Sequence, residues 1–174
     1  RDRGILRADT LVITVMSNLG LRRAMVAAGI LLHETPVGDR NVLEALDQGG
    51  YDLGGEQSGH LIFRRFATTG DGILSGLAFA DLVRRSGRSS AELAGAAMTS
   101  YPQELVNVRV SGSPADVGTA IAKEVDAVKR RLGDNGRVLI RPSGTEPLIR
   151  VMVEATTDEV ARDTAKELAA KVAA

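Results

Sequence analysis

Residues 10–46 read TLVITVMSNLGLRRAMVAAGILLHETPVGDRNVLEAL. Thr10 to Val15 is a β-branched apolar run, the pattern of a buried strand. Leu21, Met25 and Ala28 then recur at helical spacing and stop at Gly29, a natural helix end. Ile30 to His33 predicts a second strand, and Asn41 to Leu46 predicts a short helix closing at Gly49-Gly50. Strand, helix, strand, helix in this order predicts an α/β layer with parallel strands. Leu53 to His60 (LGGEQSGH) has three glycines in eight residues and predicts a loop, followed by a strand over Leu61 to Phe63. Thr68 to Gly72 (TTGDG) introduces a helix with Ile73, Leu77 and Ala80 on one face and Asp71 as N-cap. A short helix is expected over Ala91 to Met98. Tyr101-Pro102 then marks a boundary between a domain over residues 1–99 and a second over 100–174.

Beyond that boundary the pattern changes. Val106, Val108 and Val110 alternate with Asn107 and Arg109, as in a half-buried strand. Val117, Ile121, Val125, Val128 and Leu132 form a helical stripe. Val138 to Arg141 predicts a strand, Pro142 to Pro147 a turn, and Leu148 to Ala155 a strand. Val160, Thr164, Leu168 and Val172 predict a last amphipathic helix. The order β-α-β-β-α describes a small open sheet with helices on one face, an α+β domain.

Composition narrows the function. Lysine plus arginine and aspartate plus glutamate number 22 each in 174 residues, so nothing favours non-specific binding to nucleic acid or to a charged membrane surface. No apolar run approaches membrane-spanning length. There is no cysteine, which excludes disulfides and thiolate metal sites and is compatible with a reducing cytoplasm. The two histidines, His33 and His60, cannot make a histidine zinc cluster. His33 lies in an apolar strand and reads as a core or edge residue. The opening Arg-Asp-Arg, with no signal-peptide pattern after it, reads as a cut inside a longer protein.

Two loops could carry chemistry. In Arg141-Pro-Ser-Gly-Thr-Glu-Pro-Leu-Ile-Arg150 two strands meet at a short turn, so both arginines flank one hairpin mouth. Their guanidiniums can fork onto an oxyanion, and Ser143 and Thr145 add hydroxyl donors. Gly144 lets the backbone N–H approach an anion. Phosphate binding and a plain hairpin with solvated arginines stand level on these residues alone. In Gly54-Gly-Glu-Gln-Ser-Gly-His60, an extended chain would set Glu56, Ser58 and His60 on one side. A carboxylate and a hydroxyl so spaced suit the hydroxyls of a sugar, glycines let a polyol lie against the backbone, and His60 could shuttle a proton. The simpler reading is a glycine-rich turn capped by its own Glu and Ser. The spacing fits neither a dinucleotide fingerprint nor a P-loop. In Val37-Gly38-Asp39-Arg40, Asp39 reads as a helix cap paired with Arg40, while Arg40 could also reach a phosphate.

Taken together these loops resemble the α-D-phosphohexomutase superfamily. GGEQSGH resembles its sugar-binding loop and RPSGTEPLIR the phosphate-binding loop of its last domain. TVMSNLGL (14–21), VGDR (37–40), TTGDG and RPSGTEPLIRVMVEA (141–155) resemble one branch, the bacterial phosphoglucosamine mutases. That branch usually carries an aromatic residue after VGDR, where this chain has Asn41.

The resemblance implies a C-terminal half. It comprises a three-layer α/β domain (the third of four around one cleft) and a TATA-box-binding-protein-like fourth domain. It implies a cytoplasmic isomerase on the route to UDP-N-acetylglucosamine and peptidoglycan precursors. Glucosamine 6-phosphate and glucosamine 1-phosphate would interconvert through a phosphoserine and a bisphosphorylated sugar. Both the phosphoserine and an aspartate-rich loop holding Mg2+ would lie upstream of Arg1. No catalytic nucleophile or metal ligand is then expected in this chain, and the chain alone is expected to be inactive. By the same resemblance Glu56 and Ser58 would hold the sugar and His60 would sit near the reacting end, with Arg40 a further candidate for binding the substrate. Arg141, Ser143, Gly144, Thr145 and Arg150 would hold the phosphate that is not being transferred. A homodimer of the full-length enzyme is compatible with this. The alternatives are a fragment of a phosphomannomutase or phosphoglucomutase, and a sugar-phosphate-binding fragment without catalysis.

Overall fold

Strand β1 (Thr10–Thr14) is the hub of the first sheet in the computed structural model, which describes residues 4–111, 119–143 and 146–173. The chain divides into two compact units, Arg1–Ser100 and Tyr101–Ala174.

In the first unit β1 is followed by α1 (Leu19–Ala27), β2 (Leu31–Thr35), α2 (Asp39–Gly49), β3 (Leu53–Gly55), β4 (Leu61–Phe63), α3 (Gly72–Ser86) and α4 (Ser90–Ala97). The strand order is β2-β1-β3-β4. Strands β1, β2 and β3 run parallel, but β4 pairs antiparallel with β3, so the sheet is mixed and not wholly parallel as expected. The segment expected to be one loop, Leu53 to His60, opens with strand β3. Gly54 and Gly55 are buried there, which removes them as a bed for a polyol. Glycine is needed at 54 because a Cβ would lie 2.8 Å from Val42 Cγ1 and 2.9 Å from Val12 Cβ. We expect Gly54→Ala to destabilise this unit by about 1–3 kcal/mol through overpacking, read as a lower urea midpoint.

Other boundaries move for local reasons. Ile30 stays in a turn, its N–H donating to Met25 O, and β2 instead reaches Thr35, which pairs with Thr14. Helix α2 is longer than its apolar stripe because Gly38 takes the N-cap, so Asp39 enters the first turn. A carboxylate there suits the positive end of the helix. Val42, Ala45 and Leu46 pack on Val12 and Ile62 as the core of this unit. Asp71 caps α3, accepting from Leu74 N at 2.9 Å. The expected apolar face of α3 is not buried: Ile73 and Leu77 are 79% and 66% exposed. Leu74 and Ala78, one position on, are the half-buried ones. His33 lies exposed on edge strand β2, its ring 5.6 Å from that of Tyr51.

The second unit runs β5 (Gln103–Arg109), α5 (Ala122–Leu132), β6 (Arg137–Pro142), β7 (Leu148–Glu154) and α6 (Asp158–Ala173). Its antiparallel sheet has the order β5-β7-β6. One face is apolar. Val108, Val138, Ile149, Val151 and Val153 form a single core with Val128 and Leu132 of α5 and with Ala161, Ala165, Leu168 and Val172 of α6. Each fully buried aliphatic side chain stabilises by about 1.5–3 kcal/mol. Val117 of the expected stripe lies outside the described residues. Val160 is 41% exposed, and alanines 161 and 165 take its place against the sheet. A stripe sought among large apolar residues passes over alanines, which let the helix pack closely. No helix among the described residues is long and apolar enough to cross a membrane.

Candidate functional site

The β6–β7 hairpin puts Arg141 directly opposite Arg150. Their neighbours Ile149 and Val151 are buried in the core, so alternation sends both arginines to the sheet face away from the helices. The same row continues across β7 to Asn107, and Arg109 follows two residues on in β5. Asn107 and Arg109 were not singled out from the sequence. The signal was their alternation with Val106 and Val108, but only the long-range register shows that they flank Arg150.

Two guanidiniums side by side repel each other, and part of each is desolvated. The Nε atoms of Arg141 and Arg150 are buried with no hydrogen-bond partner among the described residues. The Arg141 guanidinium is pushed below its ordinary pKa, first by burial and then by the charge of Arg150. Farther along the same face the contrast is sharp. Arg137 Nε donates to Glu154 Oε2 at 2.9 Å, and Gln103 Nε2 donates to Glu154 Oε1 at 2.9 Å. Arg137 is thus given a carboxylate, whereas among the described residues none pairs with Arg141 or Arg150. Of the turn residues, Ser143 donates its N–H to Leu148 O at 2.9 Å. Gly144 and Thr145 lie outside the described residues.

In the first unit the loops after β2 and β3 leave the carboxyl ends of parallel strands, where open α/β sheets bind ligands. The GEQSGH segment is a hairpin and not an extended run. Glu56 N donates to His60 O at 2.9 Å and Gly59 N to Glu56 O at 3.1 Å, with Gly59 at φ 92° closing the turn. Ser58 is exposed at its tip, so alternation does not align Glu56, Ser58 and His60 as expected; the turn does the grouping. Glu56 Oε1 accepts from Gly38 N at 2.9 Å, tying this turn to the VGDR loop. Asn41 Nδ2 donates back to Val37 O at 2.9 Å, so the residue that departs from the usual aromatic holds the loop from within.

The expected Asp39–Arg40 pairing is replaced. Arg40 Nε donates to Glu44 Oε1 at 2.7 Å, one helical turn on, and this contact raises the Arg40 pKa. The Asp39 carboxylate instead accepts from Arg40 N at 2.8 Å, and its Oδ2 lies 3.9 Å from His60 Nε2. Glu56, Asp39 and His60 are thus linked through the two loops, with Ser58 exposed in the same turn and the Arg40 guanidinium held by Glu44. Such a set can hydrogen-bond a polyol and move a proton. Among the described residues no three His, Cys, Asp or Glu side chains converge as a metal site.

Comparison with known proteins accounts for both units. Residues 1–101 match the model for phosphoglucomutase/phosphomannomutase, alpha/beta/alpha domain III, and residues 105–171 match that for the C-terminal domain of the same family. The chain is 58% identical over 174 residues to phosphoglucosamine mutases of Frankia alni and Rhodococcus jostii, covering 99% of this chain. It spans only 38% and 39% of the length of these curated relatives. The fold is shared with the Aspergillus fumigatus N-acetylphosphoglucosamine mutase solved with GlcNAc-6P and magnesium. That match has a TM-score of 0.79 at 21% identity and covers 95% of this chain and 41% of the other. An N-acetylglucosamine-phosphate mutase in its substrate complex gives a TM-score of 0.77 at 22% identity, over 94% and 38% of the two chains. With both of its units matched in chain order, this chain belongs to the phosphoglucomutase/phosphomannomutase family, of which it carries domain III and the C-terminal domain.

Proposed function

We propose that these residues are the substrate-binding half of a mutase that interconverts glucosamine 6-phosphate and glucosamine 1-phosphate. The observation that carries the reading is the Arg141–Arg150 pair, opposed in register and with both Nε atoms unpartnered among the described residues. Two cations held together with no carboxylate among the described residues suit a dianionic group, and a phosphate accepts forked hydrogen bonds from both. Identity of 58% to phosphoglucosamine mutases favours a hexosamine phosphate over mannose or glucose phosphates.

In this reading a phosphoserine elsewhere in the enzyme transfers its phosphoryl group to the sugar, giving a bisphosphate. The bisphosphate reorients and returns its other phosphate to the serine. At each stage one phosphate is at rest. Arg141 and Arg150, with Ser143, Gly144 and Thr145 of the turn, would hold it. Glu56 and Ser58 would hold the sugar, Arg40 would reach toward it, and His60 would face the reacting end. Binding the resting phosphate fixes the reacting one, and the same grip serves both orientations. Magnesium, which would offset phosphate charge during transfer, would be held by an aspartate-rich loop elsewhere in the enzyme.

The test is phosphorus NMR of the full-length enzyme with glucosamine 6-phosphate, magnesium and a catalytic amount of hexose bisphosphate. Glucosamine 1-phosphate should accumulate, and the 174-residue chain alone should produce none. Turnover by the chain alone would place the transfer centre within it. A full-length enzyme that converts mannose or glucose phosphates but not glucosamine 6-phosphate would move the assignment to that branch.

A further inference from the structure

We propose that Gly70 and Asp39 are positioning residues that form a seat for the His60 imidazole, fixing its aim toward the bound sugar phosphate; this rests on the mutase reading above. Gly70 belongs to TTGDG, a segment to which the reading gives no role beyond capping α3 through Asp71. The Gly70 backbone is not in the left-handed region, so its conformation does not call for glycine. What calls for it is the ring of His60. A Cβ at Gly70 would meet His60 Cε1 and would lie 2.5 Å from Nε2 and 2.6 Å from Nδ1. All three of its nearest atoms are imidazole atoms. The ring therefore lies flat against the Gly70 backbone.

A charged group lies near one ring nitrogen. Asp39 Oδ2 lies 3.9 Å from His60 Nε2, and that nitrogen is buried with no hydrogen-bond partner among the described residues. Asp39 is itself held, its Oδ1 accepting from Arg40 N. Gly70 is held because Asp71 N donates to Leu61 O at 3.4 Å, linking the loop to the strand that begins one residue after His60. Two separate loops thus fix one imidazole. Proton transfer depends steeply on such alignment, and a displacement of about 1 Å can cost on the order of 100-fold in rate.

The test uses Gly70→Ala, with Gly72→Ala as its control, since a Cβ at Gly72 meets nothing within 4 Å. His33 and His60 are the only histidines, so the imidazole signals of the 174-residue chain form two sets, with His33 as internal reference. Gly70→Ala should move the His60 signals and leave those of His33 in place, and Gly72→Ala should move neither. In the full-length enzyme Gly70→Ala should lower kcat by roughly 10- to 100-fold with KM nearly unchanged. Asp39→Asn should lower kcat in the same way, with partial rescue by Asp39→Glu. On a His60→Ala background Gly70→Ala should cost nothing further.

Unmoved His60 signals, or losses that multiply in the double variant, would overturn the proposal. If Gly70→Ala fails to fold, His60→Ala should restore folding by opening the space, and failure to restore it would equally overturn the seat. Full activity of His60→Ala on glucosamine 6-phosphate would instead strike at the role given to His60 in the mutase reading. The NMR arm would still report on the seat itself.

Discussion

Arg150→Ala will weaken the hold on phosphate while leaving the second unit as stable as before or slightly more so. Most arginine truncations in a folded domain cost stability, and the opposite expectation here comes from the register. Arg141 and Arg150 face each other across an antiparallel pair, where like charges are destabilising by a few tenths to about 1 kcal/mol. The Arg141 pKa is lowered by burial first and by Arg150 second. A cation with a depressed folded-state pKa is one whose charged form the fold disfavours. That penalty is present at every pH below its folded pKa and would fade only as the group deprotonates, far above neutrality. pH therefore cannot relieve it in practice, but a bound anion or a substitution can.

Loss of one charge-assisted contact should cost about 1.5–3 kcal/mol of phosphate binding, roughly 10- to 150-fold. Thermal shift of the 174-residue chain in rising inorganic phosphate reads both effects at once. The parent should gain melting temperature with phosphate by mass action. Arg150→Ala should begin no lower and gain little. In the full-length enzyme the same substitution should reduce turnover without reducing stability. A variant that loses stability in step with activity would show that the pair serves the fold, and the phosphate assignment would fall.

What the sequence disclosed follows from which contacts are local. The β1–α1–β2–α2 order was legible because apolar periodicity alone marks those elements. So was the Arg141–Arg150 hairpin, whose Pro- and Gly-punctuated turn fixes the pairing of residues nine apart. Strand β3 was not legible, because Gly54 and Gly55 have poor strand propensity. They are there because Val12 and Val42 leave no room for a side chain at 54, a reason held in the tertiary packing. Asn107 shares the row of Arg150 through a pairing of strands far apart in sequence. The loop that brings Gly70 onto His60 follows a reversal that no local pattern announces. At the candidate site the residue types were readable, and the partners that aim them were not.

Glu154→Ala will be among the most destabilising substitutions outside the apolar core. Glu154 is 0% exposed, on the same sheet face as the arginine pair. It stands directly between Gln103 of β5 and Arg137 of β6 and accepts from Gln103 on one carboxylate oxygen and from Arg137 on the other. The row is a cross-strand clamp joining all three strands of the sheet. Truncation removes the charge that offsets Arg137 and the acceptor that Gln103 uses, while both side chains keep their surroundings. Breaking a buried pair from one side costs about 3–5 kcal/mol, whereas replacing both partners with well-packed apolar residues is often neutral or stabilising by about 1–4 kcal/mol. Glu154→Ala should thus lower the urea midpoint sharply, and Glu154→Leu with Arg137→Met should recover most of the loss. The double variant also separates the two ends of the face. The row of Leu105, Met152 and Leu139 lies between the clamp and the arginine pair. The double variant should therefore keep the phosphate-dependent thermal shift that Arg150→Ala loses. If repairing the clamp with apolar residues abolished that shift, Glu154 would be acting on the anion site through the sheet, and the division between folding arginine and binding arginines would have to be given up.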